Sequence, residues 1–378
     1  MCAPSLDSIV KILIDYRPAL HERTGVGEHI HHLAEALTAR SQSEPDVSVT
    51  LFSSSWRHRL PSDAIAGAKI VDRHIPVRCL NWFWHRVQWP SIESVVGKFD
   101  VAHSPHPLSM PSRHAAHFVT IHDLDFLAHP DHVSAEIRRD YPKLVERDAA
   151  RADRVIVPSR YTASIVQTQL KIPTDRIVIC SNGAPLWAPR HVPIYDGHVL
   201  FVGSIEPRKN IKTLLGAYRA LLSRRAHSPD LVLAGHVPRT ARDMLGALDS
   251  SPLDRKVRVL GYVSPLERYE LYRNASMLVM PSLDEGFGLP ALEAMTVGVP
   301  VIVSTRGALP EVVADAGLIV EPDDENAIQK AMARILDDRF YVNAAVARGL
   351  LRARSYDWGR SAHTLFTAYA DALRERRG

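Results

Sequence analysis

Short apolar runs alternate along the chain with stretches whose apolar residues return every three or four positions. Runs at 9–14, 47–52, 101–104, 117–121, 154–157 and 177–180 predict buried strands in the first half, and runs at 198–202, 230–235, 257–260, 275–279, 300–303 and 316–320 predict them in the second. Between them, 28–39 carries Ile30, Leu33, Ala34 and Leu37 at helical spacing, and 138–152, 211–222, 266–275, 291–297, 327–336 and 356–373 also predict helices. Strand and helix alternate throughout, the pattern of parallel sheets covered on both faces. The run 184–197 holds three prolines and little apolar periodicity, so it reads as a linker. The expected organisation is a first α/β domain at 1–184, a linker at 185–197, a second α/β domain at 198–355 and a terminal helix at 356–378.

The densest chemistry lies in 280–295, after the apolar run Ala275-Ser276-Met277-Leu278-Val279. Pro290 is tolerated in a first helical turn but not in a helix interior, so a helix is expected to begin near Leu289 or Pro290. Glu285 then lies in the loop and Glu293 in the first helical turn, while Gly286 and Gly288 flank Phe287 and let backbone approach a ligand closely. A helix N-terminus with free N–H groups suits phosphate, and a loop carboxylate suits the hydroxyls of a sugar. A helix-capping loop with two surface carboxylates is the plainer alternative.

Three further stretches carry candidate groups. A strand ending at Gly203 is followed by Ser204-Ile205-Glu206-Pro207-Arg208-Lys209-Asn210, which delivers two cations beside a helix start and predicts a pyrophosphate clamp. His122-Asp123 falls at the carboxyl edge of a predicted strand, where open α/β sheets bind ligands. Gly25-Val26-Gly27 closes a loop, Asp15 through Gly27, before the helix at 28. That loop lacks the third glycine and the tight turn of the dinucleotide fingerprint, which argues against a nicotinamide or flavin enzyme. Ser159 could cap a helix or touch a ligand, and capping fits its position better. Trp82, Phe83, Trp84 and Trp89, with Arg86, could form an acceptor platform, a membrane-facing patch or a helix packing its rings inward.

Together these strings resemble the retaining glycosyltransferases of family GT4, with the GT-B fold of two facing Rossmann-like domains and a last helix crossing back to the first. The resemblance rests on Glu285 and Glu293 with Gly-Phe-Gly-Leu-Pro between them, on Thr120-Ile121-His122-Asp123-Leu124, and on Gly203 with Arg208-Lys209-Asn210. It implies that Arg208, Lys209 and backbone groups at Gly286, Phe287, Gly288 and Leu289 neutralise a departing nucleoside diphosphate. It further implies that Glu285 orients sugar hydroxyls, that Glu293 holds the ribose, and that Val263 meets the base. His122 would support the transferred sugar from the opposing domain, with Asp123 orienting its ring, and the glycine loop at Gly25 and Gly27 would approach the diphosphate and the acceptor. The implied donor is a nucleotide-diphosphate sugar, first of all GDP-mannose, and the implied acceptor a glycan or lipid-linked glycan of surface polysaccharide assembly. Neither a metal nor another cofactor is expected. A nucleotide-sugar 2-epimerase of the same fold and a non-catalytic sugar-nucleotide-binding subunit are the competing readings.

Composition narrows this only slightly. At 378 residues, with 46% hydrophobic and 23% charged residues, the chain has room for two ordinary globular domains. Its formal net charge of +4 does not call for a nucleic-acid partner. Cys2, Cys79 and Cys180 have neither metal-site nor disulfide spacing, and no apolar run approaches the roughly 20 residues of a membrane span. A cytoplasmic protein, with peripheral association at the inner membrane, is the expectation.

Overall fold

The computed structural model describes residues 9–20, 25–44, 46–128, 135–225, 227–238 and 241–377. The chain divides into two compact units, Met1–Gly183 with Asp357–Gly378, and Ala184–Tyr356.

The first unit is built on seven parallel strands: β1 (Val10–Asp15), β2 (Val47–Ser54), β3 (Lys69–Arg73), β4 (Val101–Ser104), β5 (Ala116–Thr120), β6 (Arg154–Val157) and β7 (Ile177–Ile179). Their order is β3-β2-β1-β4-β5-β6-β7. Ile12 pairs with Val49 on one side and Val101 on the other, so β1 is interior and its apolar run is almost wholly buried. Helices α1 (Gly25–Ser43), α2 (Val77–Val87), α3 (Ala135–Arg151) and α4 (Arg160–Gln169) belong to this unit. The terminal helix α10 (Trp358–Arg377) belongs to it too, burying Leu365, Tyr369 and Leu373 in one core with Ile30, Leu33 and Leu37 of α1 and Ile12 and Ile14 of β1. Tyr369 Oη lies 2.6 Å from His103 Nδ1 of β4, and His103 Nε2 lies 2.9 Å from Thr120 Oγ1 of β5, which ties that helix to the sheet through a buried polar chain.

The second unit has six parallel strands: β8 (His198–Val202), β9 (Leu231–Ala234), β10 (Val257–Gly261), β11 (Ala275–Met280), β12 (Val301–Ser304) and β13 (Leu318–Val320). Their order is β10-β9-β8-β11-β12-β13. Every residue of β11 is buried, and Leu278 pairs with both Leu200 and Val301. The two faces of this sheet feed separate cores, one holding Val199, Phe201, Met277 and Val279, the other Leu200, Val202, Leu278 and Met280. Helices α5 (Ile211–Arg224), α6 (Pro265–Arg273), α7 (Leu289–Val297), α8 (Glu325–Asp337) and α9 (Arg339–Arg354) belong to it, with shorter helical turns between them.

Three local expectations change. Helix α1 begins at Gly25, so Gly25 and Gly27 lie in its first turn rather than in the preceding loop, of which Arg23 and Thr24 fall outside the described residues. Strand β3 was not legible, because it sits at a sheet edge with a mostly polar sequence and no buried residue. Glu293 falls in the second turn of α7, not the first. Ser159 does cap α4, its side chain accepting from the Thr162 amide at 3.0 Å. Cys79 and Cys180 are both free thiols. Among the described residues no helix is long and apolar enough to cross a membrane.

Candidate active site

In each sheet the strand order reverses once, between β1 and β4 in the first unit and between β8 and β11 in the second. At such a reversal the loops leaving the two strands run to opposite faces and leave a crevice at their carboxyl ends, where open α/β sheets take ligands. Arg208, Lys209 and Glu285 come from the loops after β8 and β11, so strand order alone brings them together.

Glu285 is the centre of that cluster. Its Oε1 accepts from Lys209 Nζ at 2.5 Å and from Ser282 Oγ at 2.8 Å, and its Oε2 lies 3.4 Å from Arg208 NH1. Glu285 and Lys209 are only 6% and 7% exposed. Burial works against the ionised carboxyl, but the charges of Lys209 and Arg208, with the hydrogen bonds from Lys209 and Ser282, outweigh it and hold Glu285 below the usual carboxylate range. The two loops are also joined through backbone, Leu283 N donating to Arg208 O at 2.7 Å. Asn210 spans further, its Nδ2 donating to Pro281 O at 3.1 Å and Pro322 O at 2.7 Å.

The backbone around Glu285 depends on glycine at two points. Gly288 caps α7 at φ +100°, with no side chain capping that N-terminus. Gly307, after β12, sits at φ +65°, and a Cβ there would fall 2.5 Å from Glu285 O. The Ala308 amide donates to that same oxygen at 2.8 Å. Phe287 is buried, with its ring edge-on to Tyr356 at 5.6 Å, so the residue between the two glycines anchors the loop in the core. Gly203 ends β8 with its amide on Ala234 O, and the Lys209 stem passes close to it, 3.7 Å from where a Cβ would stand.

Glu293 belongs to a neighbouring pair of contacts. Its Oε1 meets Arg268 NH2 at 3.1 Å and its Oε2 accepts from Tyr272 Oη at 2.9 Å, both partners on α6. Val263 stands in the short loop between β10 and α6 and lines a cavity of about 430 Å³ with Tyr262, Glu270 and Asn274.

In the first unit, the loops after β1 and β4 wall a cavity of about 520 Å³ that also receives His122 and Asp123. Asp15 closes β1 fully buried, bidentate to Arg17 at 2.6 and 2.9 Å, with His106 Nε2 at 2.9 Å from its Oδ2. Burial opposes this charge as well, and Arg17 and His106 overcome it, leaving Asp15 far below the usual range. Arg17 NH1 donates onward to Asn81 at 2.8 Å, and its guanidinium lies over the Trp84 ring at 4.6 Å. His122 Nε2 lies 3.1 Å from the Pro105 carbonyl, which fixes the proton on that nitrogen and leaves Nδ1 as the acceptor. Its ring stands edge-on to His29 at 4.6 Å, and His29 Nδ1 lies 2.6 Å from Asn182 Oδ1. Burial lowers His122 below its ordinary value and His29 well below it, so both rings are neutral at pH 7. Asp123 instead accepts from the Asp125 amide at 3.3 Å, so the hydrogen bond that orients the His122 ring comes from Pro105.

The aromatic cluster of α2 and the loop after it divides between core and surface. Trp84 is buried with Leu80 and donates from Nε1 to Pro90 O at 3.0 Å, while Trp82, Phe83 and Trp89 are exposed. Ser282, Gly307, Arg268, Tyr272 and the Asp15–Arg17–His106 group were not identified from sequence. Asp15 alone left a signal, as the carboxylate that opens the loop after the strand predicted at 9–14.

Comparisons with known proteins agree with this architecture. Residues 195–349 match the model for Glycosyl transferases group 1, and residues 23–187 match that for Glycosyltransferase Family 4. The chain is 32% identical over 281 residues to the O-antigen chain mannosyltransferase B of Escherichia coli, covering 71% of this chain and 74% of that one. It is 29% identical over 238 residues to the serotype-specific mannosyltransferase WbdA of Escherichia coli, covering 59% of this chain and only 29% of that longer protein. Among solved structures, sucrose-phosphate synthase from Thermosynechococcus elongatus superposes with a TM-score of 0.77 at 22% identity, covering 97% of this chain and all of that one. With two parallel-sheet units, a terminal helix in the first and a solved structure that superposes over nearly the whole length, the chain has the GT-B fold, and by its family models and its mannosyltransferase relative it belongs to glycosyltransferase family 4 and is a glycosyltransferase.

Proposed function

We propose that the protein moves a hexose, mannose from GDP-mannose in the first instance, onto a glycan or lipid-linked glycan of surface polysaccharide assembly, with retention of anomeric configuration and without a metal ion. The observation that carries this reading is the grouping of Arg208, Lys209 and Glu285 at the β8/β11 crevice, beside the N-terminus of α7. The names of the O-antigen relatives favour mannose and a polysaccharide acceptor.

In this reading the diphosphate lies against Arg208, Lys209 and the amides of the Gly286–Leu289 loop. These groups are positioned before substrate arrives, so the charge that grows on the departing phosphate is met without reorganisation. Each such donor contributes about 2.7–4 kcal/mol to the transition state. Glu285, ionised and held by Lys209, accepts from sugar hydroxyls. Glu293, held by Arg268 and Tyr272, takes the ribose, and Val263 the base. His122 offers Nδ1 as an acceptor to a sugar hydroxyl and, being neutral, does not serve as an acid. Gly25 and Gly27 present the first turn of α1 to the diphosphate and the acceptor. The cavity walled by Arg17, Asn81 and His106 receives the acceptor saccharide, whose hydroxyls suit that mixture of donors and acceptors. For a cytoplasmic enzyme resting on the inner membrane, the supporting feature is the exposed set Trp82, Phe83 and Trp89 with Arg78 and Arg86.

Thermal-shift measurements with GDP, UDP, ADP and their sugars test the donor, because a ligand bound to the native state raises the midpoint by mass action. GDP and GDP-mannose are expected to stabilise the protein, and a response to UDP alone removes mannose from GDP-mannose as the donor. Conversion of UDP-N-acetylglucosamine to its 2-epimer without acceptor would overturn the transferase reaction itself.

A further inference from the structure

In the second and third turns of α1, His31, His32 and Glu35 bring two imidazoles and a carboxylate within 4.8 Å of one another. His31 Nε2 lies 3.3 Å from Glu35 Oε1, and His32 Nδ1 lies 2.9 Å from Glu35 Oε2. Two ligands, each about 2.0–2.2 Å from a zinc ion, stand roughly 3.3 Å apart across a tetrahedral edge. Each nitrogen–carboxylate pair is already near that distance, and with all three groups within 4.8 Å, side-chain rotation closes the set with no change of helix geometry.

The other nitrogen of each ring is also engaged. His31 Nδ1 lies 2.7 Å from Tyr16 Oη, at the end of β1. His32 Nε2 lies 3.4 Å from Glu28 Oε2, one turn earlier on α1. Such outer partners aim a ligating histidine and raise its basicity. Both nitrogens of His32 face carboxylates, so an ion bound at Nδ1 takes the place of the proton held there, which leaves to solvent. The ring of His32 further rests 5.6 Å from Trp358, the first residue of α10, which restricts its rotation. An ordinary surface ion-pair ladder needs the carboxylates at this spacing but has no use for a buried histidine held from behind by a tyrosine.

We propose that His31 Nε2, His32 Nδ1 and Glu35 form a transition-metal site, zinc by class, with water completing the coordination. Two imidazoles and one carboxylate suit zinc, whereas calcium and magnesium take oxygen ligands. Glu35 is half exposed, so the ion enters from solvent. The site is independent of the donor chemistry proposed above, and its test does not use activity.

The untagged full chain is stripped with EDTA, exchanged into chelator-free buffer and titrated calorimetrically with zinc chloride. Cobalt(II) absorption in the visible range reports the ligand set, and magnesium serves as the control. Wild type is expected to take up one equivalent of zinc, with a rise in melting temperature and tetrahedral cobalt bands. His32→Ala and Glu35→Gln are each expected to weaken binding more than ten-fold, and Glu28→Gln by about 10–100-fold as an outer-shell loss. Glu35 is half exposed whereas Glu28 is buried, and circular dichroism melts of both variants in EDTA establish whether the fold is intact, Glu35→Gln deciding the case if Glu28→Gln does not fold. Absence of saturable zinc binding by wild type, or wild-type affinity in either His32→Ala or Glu35→Gln, overturns the site.

Discussion

Lys209 Nζ stands 2.5 Å from Glu285 Oε1, so the cation expected to face a diphosphate is already shared with the carboxylate expected to face a sugar. Both side chains are buried, and neither is replaceable alone. Removing one partner of a buried pair leaves the other charged and desolvated, at a cost of about 3–5 kcal/mol.

Lys209→Ala is therefore expected to abolish transfer and also to lower stability by about 3 kcal/mol, not to leave the fold untouched as the loop position of a solvated lysine suggests. Lys209→Met combined with Glu285→Gln should recover most of the stability and none of the activity. Chemical denaturation and turnover of the three proteins check this, and near-normal turnover in Lys209→Ala removes the clamp from the mechanism.

The depressed acidity of Glu285 makes a prediction at low pH. A carboxyl held below its unfolded value of about 4.3 contributes stability that is complete above that pH and is lost as pH falls through the folded value. Unfolding free energy measured from pH 5 down to pH 2 should fall less steeply in Glu285→Gln than in wild type. Parallel acid limbs would contradict the pairing.

Buried histidines act in the same direction at higher pH. His29, His103 and His122 are all lowered by burial, His103 to about 3. Below about pH 6.5 the unfolded chain binds protons that these folded rings resist, so stability falls as pH drops below 6.5, for His103 by up to about 1.4 kcal/mol per pH unit toward pH 4. Proton NMR of the imidazole resonances should find His103 neutral at pH 5. A protonated His103 at that pH would contradict the buried chain to Tyr369 and Thr120.

Gly307→Ala tests the support of Glu285 from behind. The left-handed backbone and the 2.5 Å approach to Glu285 O leave no room for a methyl group. The variant is expected to lose about 1–3 kcal/mol of stability and to lower kcat, with thermal melts and initial rates as the readout. Unchanged kcat would mean that the loop tolerates displacement.

The two faces of α2 should respond differently to truncation. Trp84→Ala is expected to cost about 3–5 kcal/mol, since the ring is buried and carries both the Arg17 guanidinium and a hydrogen bond to Pro90. Trp82→Ala and Trp89→Ala should stay within about 0.5 kcal/mol of wild type. Denaturant midpoints measured side by side decide it.

Strands and helices were legible wherever burial imposes a period. The continuous apolar run of β11 announces a strand covered on both faces, and Pro290 marks the start of α7 because a proline nitrogen has no hydrogen to donate further in. The strand β3 was not, because an edge strand with no buried residue need not alternate. The start of α1 at Gly25 was also hidden, since a glycine pair carries no apolar signal.

The amino-acid order by itself determined that this protein is a run of β–α units, and it named His122, Arg208, Lys209, Glu285 and Glu293 as residues at strand ends or helix starts. Only the tertiary structure decided which of them meet. The reversal of strand order between β8 and β11 sets Lys209 against Glu285, 76 positions away, and the one between β1 and β4 sets His106 against Asp15, 91 positions away. Hydrophobic periodicity is local and records which face of each element is buried. Strand order and ion pairing follow from how those faces pack together and from the need of a buried charge for a partner, which no single segment carries.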